Sequence, residues 1–350
     1  MKQKITSSNA FYTFLSIIIG FVVGAVLLLI IGISPAEAYA KLFSGVFSKL
    51  RYVLYDIVYA TPLIFTGLSV AFSFKTGVFN IGAEGQFVVG SLAACLVGIF
   101  VDLPAILHVP LCLLAAAAAG MLWSAMVGFL KVKRGINEVL SYIMFNWLAF
   151  YLSNYVVNIP AVHKEGGGEA TKNVLDSARL RAPQFLRSIC SDTNWGFLLA
   201  IACAVLVWFI IKKTTLGYQL RAVGHSRTAA EYGGISSNRI FIISMSISGA
   251  LAGLGGAAQL LGPGARISQF AGQEGFGFQG ITVALIASSH PVGCIFSGLF
   301  YGAMKYGGSK LTTIGVPNEV VNIIMGTIIF FIAISHVFRH ILHKRKEAAA

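Results

Sequence analysis

Apolar runs of roughly 20 residues, each almost free of charge, recur along this chain from near its beginning to near its end. A helix of that length crosses a hydrocarbon layer about 30 Å thick. Inside such a layer only helices and closed barrels leave no backbone group unpaired, and these runs are helical in length. The chain is therefore expected to be all-α, a polytopic integral membrane protein forming a single transmembrane domain over 1–350. Ten spans are expected, at about 11–33, 52–74, 81–101, 105–130, 137–158, 195–211, 240–262, 276–289, 292–310 and 319–338. The first follows Lys2 and Lys4 but is too long for a signal-peptide core and lacks a clear small-residue cleavage site, so it reads as an anchor. Composition agrees: 11% of residues are charged and 56% hydrophobic, where a soluble domain carries about a quarter charged residues.

Charge sets the expected orientation. If the spans alternate, Lys131, Lys133 and Arg134, then Lys212, Lys213, Arg221, Arg227 and Arg239, then Arg339, Lys344, Arg345 and Lys346 all fall on one side. The positive-inside rule makes that side the cytoplasm and puts both termini there. The net charge of +13 then faces anionic lipid, and without a soluble basic domain nucleic acid is not an expected partner. The five cysteines are scattered without a Cys-x-x-Cys pair and read as small core residues. His336, His340 and His343 share a helical face, but the basic residues around them suit a membrane-surface helix end better than a metal site.

Two polar stretches lie between spans. Residues 159–194, with Gly166, Gly167 and Gly168, read as a loose extracytoplasmic loop, or as a docking surface for an external partner. Residues 212–239 lie inside, with a short helix expected from Tyr218 to Tyr232. Such a helix is marginal alone and needs a surface to pack on. Two further segments interrupt the apolar pattern. TGVFNIGAEGQ (76–86) and QEGFGFQGITVALIASSHPVG (273–293) each combine glycines, a polar side chain and a short apolar helix. Interrupted helices at matching places in two halves of opposite orientation mark inverted-repeat transport folds, where they flank the substrate path. The run GALAGLGG (249–256) carries small residues three and four apart and reads as a packing seam.

Taken together, TGVFNIGAEGQ, the inner-loop LGYQLRAVGHSRTAAEYGGI and GFGFQGITVALIASSHPVG resemble the permease subunits of bacterial ABC importers for simple sugars and nucleosides, a family related to the branched-chain amino-acid permeases. The wording of the first motif is most similar to the nucleoside, guanosine-type branch. The resemblance implies a permease half in the bacterial cytoplasmic membrane that works by alternating access. Its implied partners are a second homologous permease subunit, a cytoplasmic ABC ATPase that binds ATP and Mg2+, and an extracytoplasmic substrate-binding lipoprotein or periplasmic protein. It also implies that Leu220, Arg221, Ala222, Val223, Gly224, Ala229, Ala230, Tyr232, Gly233, Gly234 and Ile235 belong to the element that docks in a groove of the ATPase. Ser226 and Gln279 depart from the family pattern, which commonly has asparagine and an acidic residue there.

No G-x-x-x-x-G-K-[ST] loop is present, so energy is expected from a partner or an ion gradient, and no cofactor is expected in this chain. An ion-coupled secondary transporter would need intramembrane acids, for which Asp56, Glu84, Glu138, Glu274 and Glu319 are the candidates; they sit near helix ends, where capping is the simpler role. An intramembrane enzyme would need a convergent catalytic set, and neither Gly-x-Ser-x-Gly nor His-Glu-x-x-His occurs. The residues expected to line the path are Phe79, Asn80, Glu84, Gln86, Asn146, Phe276, Phe278 and Gln279, with Trp147 beside them. Rings there suit a flat base, and amides or a carboxylate suit ribose hydroxyls. The competing role for the amides is to satisfy backbone groups freed at helix breaks.

Overall fold

The structure, a computed structural model, describes residues 9–347, with the side chains of 9–12, 318, 333 and 335–347 not among those described. His336, His340 and His343 thus lie outside the described side chains. The described residues are helical with only isolated β-bridges between loops. In chain order the α-helices are α1 (Asn9–Ile30), α2 (Pro35–Phe47), α3 (Leu50–Phe74), α4 (Ala83–Phe100), α5 (Ala105–Arg134), α6 (Glu138–Val157), α7 (Gln184–Arg187), α8 (Gly196–Lys213), α9 (Thr215–His225), α10 (Arg227–Tyr232), α11 (Ser237–Gln259), α12 (Phe276–Ile286), α13 (Pro291–Leu311) and α14 (Asn318–Glu347).

Among the described residues six helical stretches are long and apolar enough to cross a membrane: Thr13–Ile30, Leu50–Phe74, Ala83–Phe100, Ala105–Arg134, Gly196–Lys213 and Ser237–Gly264. A seventh arises if Phe276–Ile286 and Pro291–Ile314, bent by 119° at a short break, count as one span. The difference from ten has local causes. The eighth and ninth expected spans are the two arms of that bent pair. The fifth is α6, of full length but diluted by Ser141, Asn146, Ser153 and Asn154. In α14 the described apolar stretch is only Glu319–Ile332.

Two compact units divide the chain. In the unit formed by Met1–Asp56 and Tyr301–Ala350, α1 lies against α14, with Gly20 and Gly24 admitting Ile328 and Ile324. There too the Tyr39 ring meets Phe21 edge-on at 5.3 Å, and the Lys310 ammonium stands 4.9 Å from the centre of the Tyr306 ring.

The unit Ile57–Phe300 holds the polar helix breaks, and α11 is its axis. The run 249–256 does admit close neighbours, on two sides. A Cβ on Gly253 would stand 2.4 Å from the Ala116 carbonyl oxygen of α5, and one on Gly256 would stand 2.1 Å from the Phe87 carbonyl oxygen of α4. Backbones in that proximity gain dispersion contact without needing a hydrophobic driving force, which lipid does not supply. All five cysteines are buried and unpaired within the described fold.

Segment 159–194 is irregular but anchored, not loose as expected. Val174, Leu175 and Leu180 donate backbone hydrogen bonds to the carbonyls of Ala265, Gly98 and Leu261, and Arg179 reaches the Gly262 carbonyl at 2.9 Å. Composition alone could not show this, because the partners are helix-end carbonyls distant in sequence. At the apex Gly166, Gly167 and Gly168 all adopt positive φ.

Replacing Gly253 with leucine should overpack the α5–α11 seam, costing about 1–3 kcal/mol. Gly326→Ala, where a Cβ meets nothing within 4 Å, should be neutral or mildly stabilising. Thermal unfolding midpoints of the full chain in detergent compare the two.

Candidate translocation site and coupling surface

Segment 75–82 leads from the end of α3 to α4 through a turn opened by Gly77, whose φ is +74°. The turn delivers Asn80 into the interior. Asn80 Nδ2 donates to Gln86 Oε1 at 2.9 Å and to Ser248 Oγ at 2.7 Å, with Ser69 Oγ 3.2 Å away. Gln86 Nε2 donates back to Asn80 Oδ1 and on to Ser124 Oγ, both at 3.1 Å, and Ser124 Oγ lies 3.0 Å from the Tyr142 hydroxyl. Nearby, the Thr76 hydroxyl donates to Ser244 Oγ at 2.7 Å. The network therefore joins α3, the break, α4, α5, α6 and α11, and both amides in it are fully buried. Two of the expected path residues thus hold helices together in this structure, with their polar groups spent on protein.

The same holds for Asn146. Its Oδ1 accepts from the Gly85 N–H at 2.8 Å and its Nδ2 donates to the Ile81 carbonyl at 3.1 Å, so it closes the start of α4. Asn137 does the equivalent for α6, accepting from the N–H groups of Val139 and Leu140.

Glu84 does for α12 what Asn146 does for α4. Its carboxylate, 1% exposed, accepts from the Gly275 N–H at 2.7 Å and the Gly277 N–H at 2.6 Å. The first N–H groups of a helix lack intrahelical partners and carry partial positive charge, so a buried carboxylate there is paired without a cation. No ion pair involving Glu84 occurs among the described residues. The approach depends on glycine: a Cβ on Gly277 would stand 2.1 Å from the Glu84 nitrogen. Thr66 adds a hydrogen bond to the Phe276 carbonyl at 3.0 Å, and the Phe87 and Phe276 rings stack at 5.1 Å.

The remaining expected residues are more open. Phe79 and Phe278 are exposed and Phe276 and Gln279 half-buried, while Phe79 stacks on Phe74 at 5.4 Å. Gln279 Oε1 is buried without a hydrogen-bond partner. Trp147 is exposed and packs on Phe150 and Tyr151. Of the acids weighed for ion coupling, Glu138 is paired with Lys131, and Asp56 Oδ1 is buried and unpartnered. What the sequence reading missed is the buried serines and threonines: Thr66, Ser69 and Ser73 share one face of α3, and Ser244 and Ser248 one face of α11. Their spacing of three and four was the available signal.

Segment 212–239 forms two short helices. Thr214 caps α9 through the Gly217 N–H, and Ser226 caps α10 through the Ala229 N–H. Leu220, Val223 and Ala230 are buried, whereas Arg221, Gly224, Ala229, Gly233 and Gly234 are exposed and Ala222 is intermediate. The Tyr232 side chain is 91% exposed. Gly234 takes a φ of +80° as α10 ends, and Ile235 donates to the Ala230 carbonyl. On the outer side of the pair, Tyr218, Gln219, Ala222, His225, Ala229 and Gly233 line a cleft of about 460 Å³.

Residues 52–333 match the family described as branched-chain amino acid transport system / permease component. The chain belongs to this family. Among its relatives, the guanosine ABC transporter permease protein NupP of Bacillus subtilis (strain 168) is 40% identical over 98% of this chain and 98% of its own length. The nucleoside ABC transporter permease protein NupB of Lactococcus lactis subsp. cremoris (strain MG1363) is 32% identical over 96% of this chain and 94% of its own. The glucose ABC transporter permease protein TsgB13 of Haloferax volcanii is also 32% identical, over 93% and 87%. Family membership and the apolar helices make this a multi-pass membrane permease component.

Glu84→Ala removes two charge-assisted bonds and should cost about 3 kcal/mol. Glu84→Gln, which keeps one acceptor, should fall between it and the parent. The check is thermal unfolding of the full chain in detergent, beside Phe79→Ala, whose midpoint should stay near the parent's.

Proposed function

We propose that this chain is one half of the transmembrane path of an ATP-driven importer for nucleosides, working by alternating access with a second permease subunit. The identity to the guanosine permease, 40% along nearly the whole of both chains, carries the reading. ATP and Mg2+ are assigned to a separate cytoplasmic ATPase, in keeping with the lack of a phosphate-binding loop here. An extracytoplasmic lipoprotein or periplasmic binding protein would deliver the solute. The lysine and arginine excess of the loops supports a cytoplasmic position for 212–239 and both termini in this reading.

In this reading α9 and α10 form the coupling element. Closure of an ATPase dimer on two such elements would shift the permease between outward- and inward-open states, because the nucleotide-bound ATPase favours one of them. Leu220, Val223 and Ala230 hold the element on the permease, while Arg221 and Tyr232 offer themselves outward. Of the path residues, Phe79, Phe276, Phe278 and Gln279 remain available to solute, whereas Asn80, Glu84, Gln86 and Asn146 act by fixing the walls. A simple-sugar substrate is the second reading, favoured by the identity to the glucose permease.

The test is uptake into vesicles carrying the chain with its ATPase, second permease and binding protein. Labelled nucleoside should accumulate with ATP, and should not accumulate with only a proton or sodium gradient; gradient-driven uptake, or uptake of sugar alone, sinks the nucleoside reading. In the same assembly, Arg221→Ala with Tyr232→Ala should weaken ATPase binding by tenfold or more, since exposed arginine and tyrosine are frequent hot spots. The unfolding midpoint of that variant should match the parent, because neither side chain is buried.

A further inference from the structure

We infer that the cleft between the end of α11 and segment 265–275 is a contact site for a purine nucleoside, with Arg266 and Glu274 as its two polar arms. The inference rests on the nucleoside reading above. The cleft has a volume of about 550 Å³, and its lining includes Phe87, Ser91, Gln259, Arg266, Phe270 and Glu274. That volume falls within the usual range for small-molecule sites, about 300–1,000 Å³.

Three observations set this place apart. Arg266 and Glu274 are exposed, opposite in charge and line one cleft, yet among the described residues they form no ion pair with each other or with any other group. Two unpaired charges of opposite sign in one cleft suit a neutral solute that presents acceptors to one and donors to the other. Second, the wall is built, not slack. Thr171 and Ile267 exchange hydrogen bonds, with the Thr171 N–H on the Ile267 carbonyl at 2.9 Å and the Ile267 N–H on Thr171 Oγ1 at 3.1 Å. Phe270 is clamped by Asn154 through its N–H at 2.8 Å and its carbonyl at 3.0 Å, and Glu84 holds the far end at Gly275. Third, α11 ends in a π-turn, Leu260–Gly264, and Ala265 follows with a φ of +61°, a conformation that favours glycine. Such π-turns recur at functional sites, and this one sets Gln259 and Leu260 in the cleft wall.

The chemistry then assigns the arms. A guanidinium fork matches the paired O6 and N7 acceptors of guanine. A carboxylate accepts from two adjacent hydroxyls, which ribose supplies. The half-buried Phe270 ring offers an apolar face for the base. This site was not among the expected path residues: Glu274 entered only as an acid for ion coupling, and Arg266 not at all.

Saturation-transfer NMR on the full chain in nanodiscs, with guanosine and glucose as separate probes, tests the site. Guanosine should give a saturable signal; Arg266→Gln should lower transfer to the base proton, and Glu274→Gln to the ribose protons, each about tenfold. Arg266→Lys should recover little of it, because an ammonium lacks the fork. Unfolding midpoints should stay at the parent value, since both side chains are exposed. Absence of a saturable guanosine signal, guanosine signals unchanged in both glutamine variants, or a saturable signal for glucose alone would overturn the inference. ATP-driven guanosine uptake by the complete complex separates the two levels: normal uptake in both variants removes this site and leaves the proposed function standing, while no guanosine uptake by the parent removes the function itself.

Discussion

A helix that starts inside the fold must have its first N–H groups satisfied there, and this structure meets that demand with the carboxylate of Glu84. The two short bonds to Gly275 and Gly277 join residues nearly two hundred positions apart and fix where α12 begins. With α12 placed, the Thr66 bond, the Phe87–Phe276 stack and the lower end of segment 265–275 all follow. Asn146 performs the same service for α4 with a neutral amide, as suits a site whose N–H and carbonyl both need a partner. The two helix breaks are thus locked by reciprocal means: the first turn of α4 carries the acid that caps α12, and α6 carries the amide that caps α4.

The all-α membrane architecture was legible because bilayer thickness imposes one length on every span. The glycine seam at 249–256 was legible because small residues at helical spacing have few other uses in lipid. The fate of 76–86 was only half legible. That its polar groups avoid lipid was evident, but whether they face solute or helix ends depends on partners contributed by α3, α5, α6 and α11. Ser69, Ser124 and Ser248 look unremarkable one at a time in an apolar run, and only the fold brings them to Asn80 and Gln86. Glu84 is the sharpest case. Its burial and helix-end position suited capping as well as chemistry, and its partners lie in a segment with no local sequence relation to it.

The surface differs from the interior in what it leaves unspent. Inside, the amides and hydroxyls around Asn80 and Gln86 are paired with one another. At the α9–α10 pair and along 265–275, by contrast, Tyr232, Arg266 and Glu274 extend outward from backbones that are themselves well anchored. Rigid support beneath unengaged side chains is the arrangement that binding requires, since little ordering remains to be done when a partner or solute arrives.

The seat of α9 has a mechanical consequence. A Cβ on Gly224 would stand 2.2 Å from the Lys75 carbonyl oxygen, so helix and turn meet backbone to backbone with no side chain between them to absorb strain. That turn runs directly into Asn80, the hub of the amide and serine network. Any displacement of α9 thus meets, through a short backbone contact, the turn that leads to the knot where six elements of this unit are tied.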